Sequence, residues 1–200
     1  MKRSLLLLLG AAFCLPAGCS SEKKDGPRGW YYAGSNLEDE KALGGFGPCD
    51  NVPKKCEKDG PGKPGELSLV AFPEEVVDFR SRKAVLLRLI NRTEKTVAFS
   101  ACDSSLYIVQ EALDRQGQWK SLERFPDTFC GNSYHRVFLE SNEYWEFFAI
   151  QRSGSLKTKL RFRLEPGGEG AIAAGGGDLL SNEYDGSVDP TEFVRVKSRE

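Results

Sequence analysis

Between Lys157 and Leu164 the chain alternates without a break, setting Leu160, Phe162 and Leu164 against Lys159, Arg161 and Arg163. A period of two suits a β-strand with one face on a core and the other in water. Strand-like segments recur upstream in residues 67–72, 75–79, 96–100, 106–112, 134–140 and 143–150, and residues 84–90 form a longer apolar run. Asp114-Arg115-Gln116-Gly117 supplies hairpin-turn chemistry before Trp119 and Leu122. About eight short strands with frequent turn signals, and no long amphipathic helix, predict an all-β domain of sandwich type over residues 66–200. The glycines between 167 and 177 are too dense for a central strand and predict a loop.

The amino terminus has a different logic. Lys2 and Arg3 precede Leu5 to Leu9 and a short apolar run to Leu15, the anatomy of a secretory signal and too short for a spanning helix. The run ends in Pro16-Ala17-Gly18-Cys19, which resembles the lipobox of bacterial lipoproteins, with Pro16 where a leucine is usual. The resemblance implies a signal peptide over residues 1–18, cleavage before Cys19, and acylation of its thiol as the membrane anchor. Ser20 resembles an outer-membrane sorting signal where two membranes exist. Cell-envelope localisation follows from this resemblance.

Residues 19–65 are rich in Gly, Pro and charge, and read as a flexible stalk. Within it, Trp30-Tyr31-Tyr32 is an aromatic cluster suited to docking on the domain or on a partner. Cys49 and Cys56 enclose six residues, a spacing that a local disulfide closes in an oxidising compartment. Cys102 and Cys130 are the other pair expected, closing a loop worth about 3 kcal/mol in the chain-entropy account.

Charge and composition narrow the chemistry. With 28 Lys and Arg against 29 Asp and Glu, the net charge of −1 lacks the field of a nucleic-acid-binding protein, so no nucleic-acid partner is expected. One histidine in 200 residues excludes a multi-histidine metal site, and no cofactor or metal is expected. Phe129-Cys130-Gly131-Asn132-Ser133-Tyr134-His135 gathers a thiol and the only imidazole, so Cys130 and His135 are the candidate nucleophile and base of a thiol-dependent enzyme. A disulfide to Cys102 beside a hydrogen-bonded histidine is the plainer reading. Residues 181–192 place Gly186 and Glu192 at calcium-loop positions, but Ser181 stands where the first carboxylate belongs. There, a strand end followed by a turn capped by Asp189, with Pro190 at its first position, explains the residues better. Lys157, Lys159, Arg161 and Arg163 form a basic strand face, more often a solvated sheet surface than a binding site.

Several strings resemble immunoglobulin-like domains of bacterial secreted proteins and lipoproteins. They are Leu89-Ile90-Asn91-Arg92-Thr93, Val97-Ala98-Phe99-Ser100, Cys130 to His135, Glu143-Tyr144-Trp145-Glu146-Phe147, and Lys157-Thr158-Lys159-Leu160-Arg161, with the tail from Ser181 to Phe193. The resemblance implies an exported immunoglobulin-like β-sandwich and brings no activity or catalytic residues. The expected function is therefore non-catalytic binding or scaffolding, with an envelope protein or polymer as partner. A protease-inhibitor-like module and the thiol enzyme are the alternatives. Trp119, Tyr134, Tyr144 and Trp145 are the candidate binding residues, since aromatics dominate interface energetics.

Overall fold

The computed structural model describes residues 28–46, 49–126, 130–165 and 177–194. The signal peptide, Cys19 and most of the glycine-rich loop lie outside them. The described chain is all-β, with three antiparallel sheets around one hydrophobic core. In the first sheet, β1 (Lys54–Lys55) pairs β9 (Glu143–Ile150), which pairs β3 (Arg82–Asn91), which pairs β2 (Leu67–Phe79). The second sheet has β4 (Val97–Cys102) between β5 (Ser105–Leu106) and β8 (Tyr134–Leu139). In the third, β10 (Leu156–Leu164) pairs β6 (Ile108–Leu113) on one side, with β7 (Trp119–Ser121) beyond it. On its other side β10 pairs β11 (Leu179–Leu180) and β12 (Tyr184–Val188).

The period-two reading of β10 matches its packing. Leu160, Phe162 and Leu164 are buried in the core, and Arg161 and Arg163 point the other way onto Glu111. Residues 67–79 are one strand rather than two. Between Phe72 and Val76 the register against β3 shifts, and Pro73, with no N–H to give, sits in that bulge. Asn91 is a fully buried clamp. Its Nδ2 donates to the carbonyls of Lys95, Leu139 and Glu140, and its Oδ1 accepts from Thr93 N and Oγ1. Asn91→Ala orphans these groups where water cannot replace the lost partner. It is expected to cost about 2–4 kcal/mol in denaturant unfolding; a loss below about 1 kcal/mol would refute the clamp.

The stalk expected over residues 19–65 is corrected from residue 28 onward. Tyr31 and Ala33 have no exposed surface and belong to the core. Trp30 exchanges backbone hydrogen bonds with Phe148 at the edge of β9. Three residues on, Ala33 N bonds Ser104 O and Leu106 N bonds Tyr31 O, so the same segment lines the edge of β5. Asn51 Nδ2 donates to Tyr32 O and Glu146 O before β1 completes the edge of β9. Its Gly, Pro and charge content hides a discontinuous edge strand whose backbone groups are satisfied by the sheets. The domain therefore begins well before residue 66.

This geometry also corrects the Cys49–Cys56 disulfide; among the described residues the structure contains no disulfide. Asn51 sits beside Glu146 and Lys55 beside Glu143, so the chain between runs antiparallel to β9. An extended run from Asn51 to Lys55, at about 3.3 Å per residue, leads Cys56 away from Cys49 instead of folding it back as a bridge requires. Cys102 and Cys130, the other expected pair, are a buried strand residue and an exposed residue just before a short 3-10 turn (Gly131–Ser133).

Two side-chain devices join the sheets and finish their edges. Asn182 spans from the third sheet to the first by donating Nδ2 to Ala71 O and accepting Ala71 N at Oδ1. On the outer side of β8, Arg136 N donates to Asp39 Oδ2 and Phe138 N to Ser35 Oγ. Hydrogen bonds from Arg136, first its guanidinium, hold the Asp39 carboxyl down to about 2. The stability from this depressed carboxyl is present above the ordinary value near 4 and declines as pH falls toward 2.

Candidate functional site

The first sheet has a second face. Leu87, Leu89, Trp145, Phe147 and Ala149 point into the core, so Leu86, Arg88 and Ile90, opposite Phe148, Glu146 and Tyr144, project outward. Arg88 organises this outer face. Its guanidinium lies 4.9 Å from the Phe72 ring centre and 5.2 Å from that of Tyr144. Its Nε and Nη2 each reach Glu146 Oε2 at 3.0 Å, and Lys54 reaches Oε1 at 3.1 Å. Burial pushes the Glu146 carboxyl up, but the hydrogen bonds from Lys54 and Arg88 outweigh it and hold the group below its ordinary value. Beside this cluster, Cys56, Pro61, Arg92 and Tyr144 line a cleft of about 130 Å³ with Ile90 in its wall. Gly62, at φ +92°, lies so close that a β-carbon there would stand 3.0 Å from Ile90 Cγ2.

At the other end of this face, Phe79 stacks on Phe148 at 4.8 Å, and Trp30 lies 5.8 Å from Phe79 and 6.1 Å from Phe148. Tyr32, 5.8 Å from Trp30, is exposed. The β2–β3 hairpin ends here in a two-residue turn, Arg80-Ser81, and both residues have positive φ (49° and 62°). That geometry normally selects Asn-Gly, and holding two ordinary L-residues in it costs on the order of 1–2 kcal/mol each. The strained turn presents Arg80 and Arg82 to solvent beside the aromatic rings.

The four residues expected to bind are scattered. Tyr144 lies on the outer face. Trp119 is half-buried on the edge strand β7 under the Arg161 guanidinium, 4.0 Å from its ring centre. Tyr134 is exposed at the start of β8, lining a separate cleft with Asp39, Tyr107 and Arg136. Trp145 is corrected outright. It is fully buried, edge-on to Phe99, and donates Nε1 to Gly34 O at 2.8 Å. Its indole anchors the amino-terminal segment and is out of reach of any partner.

The candidate catalytic pair also finds other employment. His135 is buried and stacked flat on Phe46 at 3.6 Å. One ring nitrogen faces Ser104 Oγ and the other Ser133 O, so both are engaged away from a thiol. Burial pushes the imidazole below its ordinary value. Burial likewise pushes the thiols of Cys49 and Cys56 up, the opposite of what activates a nucleophile. The basic face of β10 is largely neutralised within the chain. Glu111 takes Arg161 and Arg163, Asp185 takes Lys159, and Glu165 and Asp178 add to Arg163.

Residues 181–192 follow the plainer reading. Ser181 Oγ caps Phe162 N, residues 184–188 are β12, and Asp189 accepts Thr191 N ahead of a 3-10 turn starting at Pro190. Glu192 faces Arg152 instead of closing a calcium loop.

Arg152 belongs to a buried polar cluster. Its Nη2 donates to Glu123 Oε1 at 2.9 Å and its Nε to Gln110 Oε1 at 2.9 Å, and Gln110 Nε2 donates to Tyr184 OH at 2.7 Å. Glu123 also accepts the backbone N–H of Gly29. Burial, and then the Glu123 charge, raise the Tyr31 phenol well above its ordinary value and keep it protonated. The arrangement is a structural clasp, since each oxygen of Glu123 is occupied from within the chain.

Phe72, Phe79, Phe148, Arg80 and Arg88 were not legible as a site, because their convergence depends on strand register. The Trp30-Tyr31-Tyr32 cluster and Tyr144 were the local signals for it. No protein-family profile, curated protein or solved structure matches this chain.

Proposed function

We propose that this chain is a lipid-anchored cell-envelope protein whose immunoglobulin-like β-sandwich serves as a non-catalytic binding or scaffolding module. Three antiparallel sheets around one core support the sandwich reading, and the lipobox-like Pro16 to Cys19 supports the anchor. The observation that carries the binding role is the outer face of the first sheet. There Trp30, Phe72, Tyr144 and Phe148 stand with Arg88 on a rigid β scaffold, the composition of interface anchors. An envelope protein or polymer is the partner this face suits.

A photo-crosslinking amino acid at position 144 in the exported protein tests the reading. It is expected to give a discrete envelope adduct that the same group at Lys120, on the edge strand of the third sheet, does not. Equal labelling from both positions, or none from 144, would count against the outer face as the binding surface.

A further inference from the structure

We propose that the β2–β3 hairpin tip and the adjoining aromatic cluster form a membrane-contact surface for anionic phospholipid headgroups. The inference deepens the proposed function and rests on its anchor reading. Three observations converge on one corner of the molecule.

The described chain enters the fold at this corner. Arg28, Gly29, Trp30 and Tyr32 line one cleft of about 300 Å³ with Phe79, Arg80, Arg82 and Ile150. Cys19 precedes Arg28 by nine residues, a length that reaches at most about 30 Å. A lipid on Cys19 therefore holds this corner within about 30 Å of the bilayer.

Its charge suits an anionic surface. Asp78 pairs with Lys83, whereas Arg80 and Arg82 make no ion pair among the described residues. Arg28 spends its donors on Ser105 Oγ and on backbone carbonyls. The surplus is cationic, and it projects from a turn held in a costly conformation by residues that are not the turn's natural choice. Beside it, Trp30 and Tyr32 supply amphipathic rings of the kind that settle at the headgroup level, and Phe79 adds an apolar one. Arginine heads with apolar neighbours match the chemistry of a phosphate-rich, partly apolar interface.

The core lies between Tyr31 and Phe193, so a chain from Ser20 to Glu200 carries the whole fold without the lipid. This chain is mixed with vesicles of phosphatidylglycerol and phosphatidylcholine, or of phosphatidylcholine alone, and sedimented. Binding is expected to the anionic vesicles only, and to weaken as salt is raised. The triple variant R80N/S81G/R82Q puts Asn-Gly in the turn, so its thermal midpoint should match or exceed that of the parent. Its binding is expected to fall about thirtyfold, as for two basic side chains withdrawn from an anionic surface.

Absence of binding to anionic vesicles, equal binding to neutral ones, or undiminished binding by the folded variant would each overturn the proposal. The mass of the exported protein tests the anchor separately. An unacylated Cys19 would defeat the anchor reading while leaving the vesicle result to stand or fall on its own.

Discussion

Tyr31→Ala is expected to destabilise the fold by about 3–5 kcal/mol, the cost of emptying a fully buried aromatic site. The ring has no exposed surface and packs edge-on against Phe147 at 6.2 Å and Phe162 at 6.4 Å, residues of β9 and β10. It thus joins the first and third sheets, and Arg28 lies over it at 5.0 Å. The substitution separates two pictures of the amino-terminal segment. In a solvated stalk it would change stability by no more than about 0.5 kcal/mol. As part of the core it should lower the thermal midpoint by roughly 6–20 °C, at about 2–4 °C per kcal/mol for a chain of this size. An unchanged midpoint would sink the structural assignment of residues 28–34. Gly29 sharpens the test, because a β-carbon there would overlap the Tyr31 ring and hydroxyl. Gly29→Ala should therefore destabilise in the same direction with no aromatic removed.

Arg152→Ala should cost a comparable amount, about 3–5 kcal/mol, for a different reason. The Glu123 side chain is fully buried and its carboxylate would lose the guanidinium that neutralises it, and Gln110 would lose a donor. Arg152→Lys should rescue little, since one ammonium does not reproduce a fork that reaches Gln110 with Nε and Glu123 with Nη2. Removing both charges as R152M/E123L should cost less than the two single losses summed, because no buried charge is then left alone. Denaturant unfolding of the parent, of R152M and E123L singly and of the double variant closes this cycle. Additive losses would show that the two side chains do not act as a unit.

The sheets were legible where burial is one-sided. The stretch ending at Leu164 alternates in residue type because one face meets the core, Glu143 to Ile150 alternates in burial for the same reason, and the bounds of both agree with the reading to within a residue. The amino-terminal segment was illegible for the converse reason. Residues 28–55 pair with strands distant in sequence through single bridges and side chains, so no run is long enough to show a period. The site failed in the same way. Trp145 and Tyr144 are neighbours in sequence, yet one is sealed in the core and the other faces outward, and only register assigns them. The thiol and imidazole of Cys130 and His135 were near in sequence, but His135 belongs to a strand paired with Ala101, with Ser104 and Ser133 beside its ring.

The Ser35 and Asp39 contacts on β8 carry a consequence for life at high local concentration. An outermost strand normally offers its N–H groups as a template onto which another copy can add, the first step toward a growing stack. Here two of those donors, on Arg136 and Phe138, are taken by side-chain oxygens, which accept the bonds without presenting a further strand in turn. The sheet is ended rather than merely left unpaired. Copies that meet at β8 find these two donors already taken and unable to pair with a further strand.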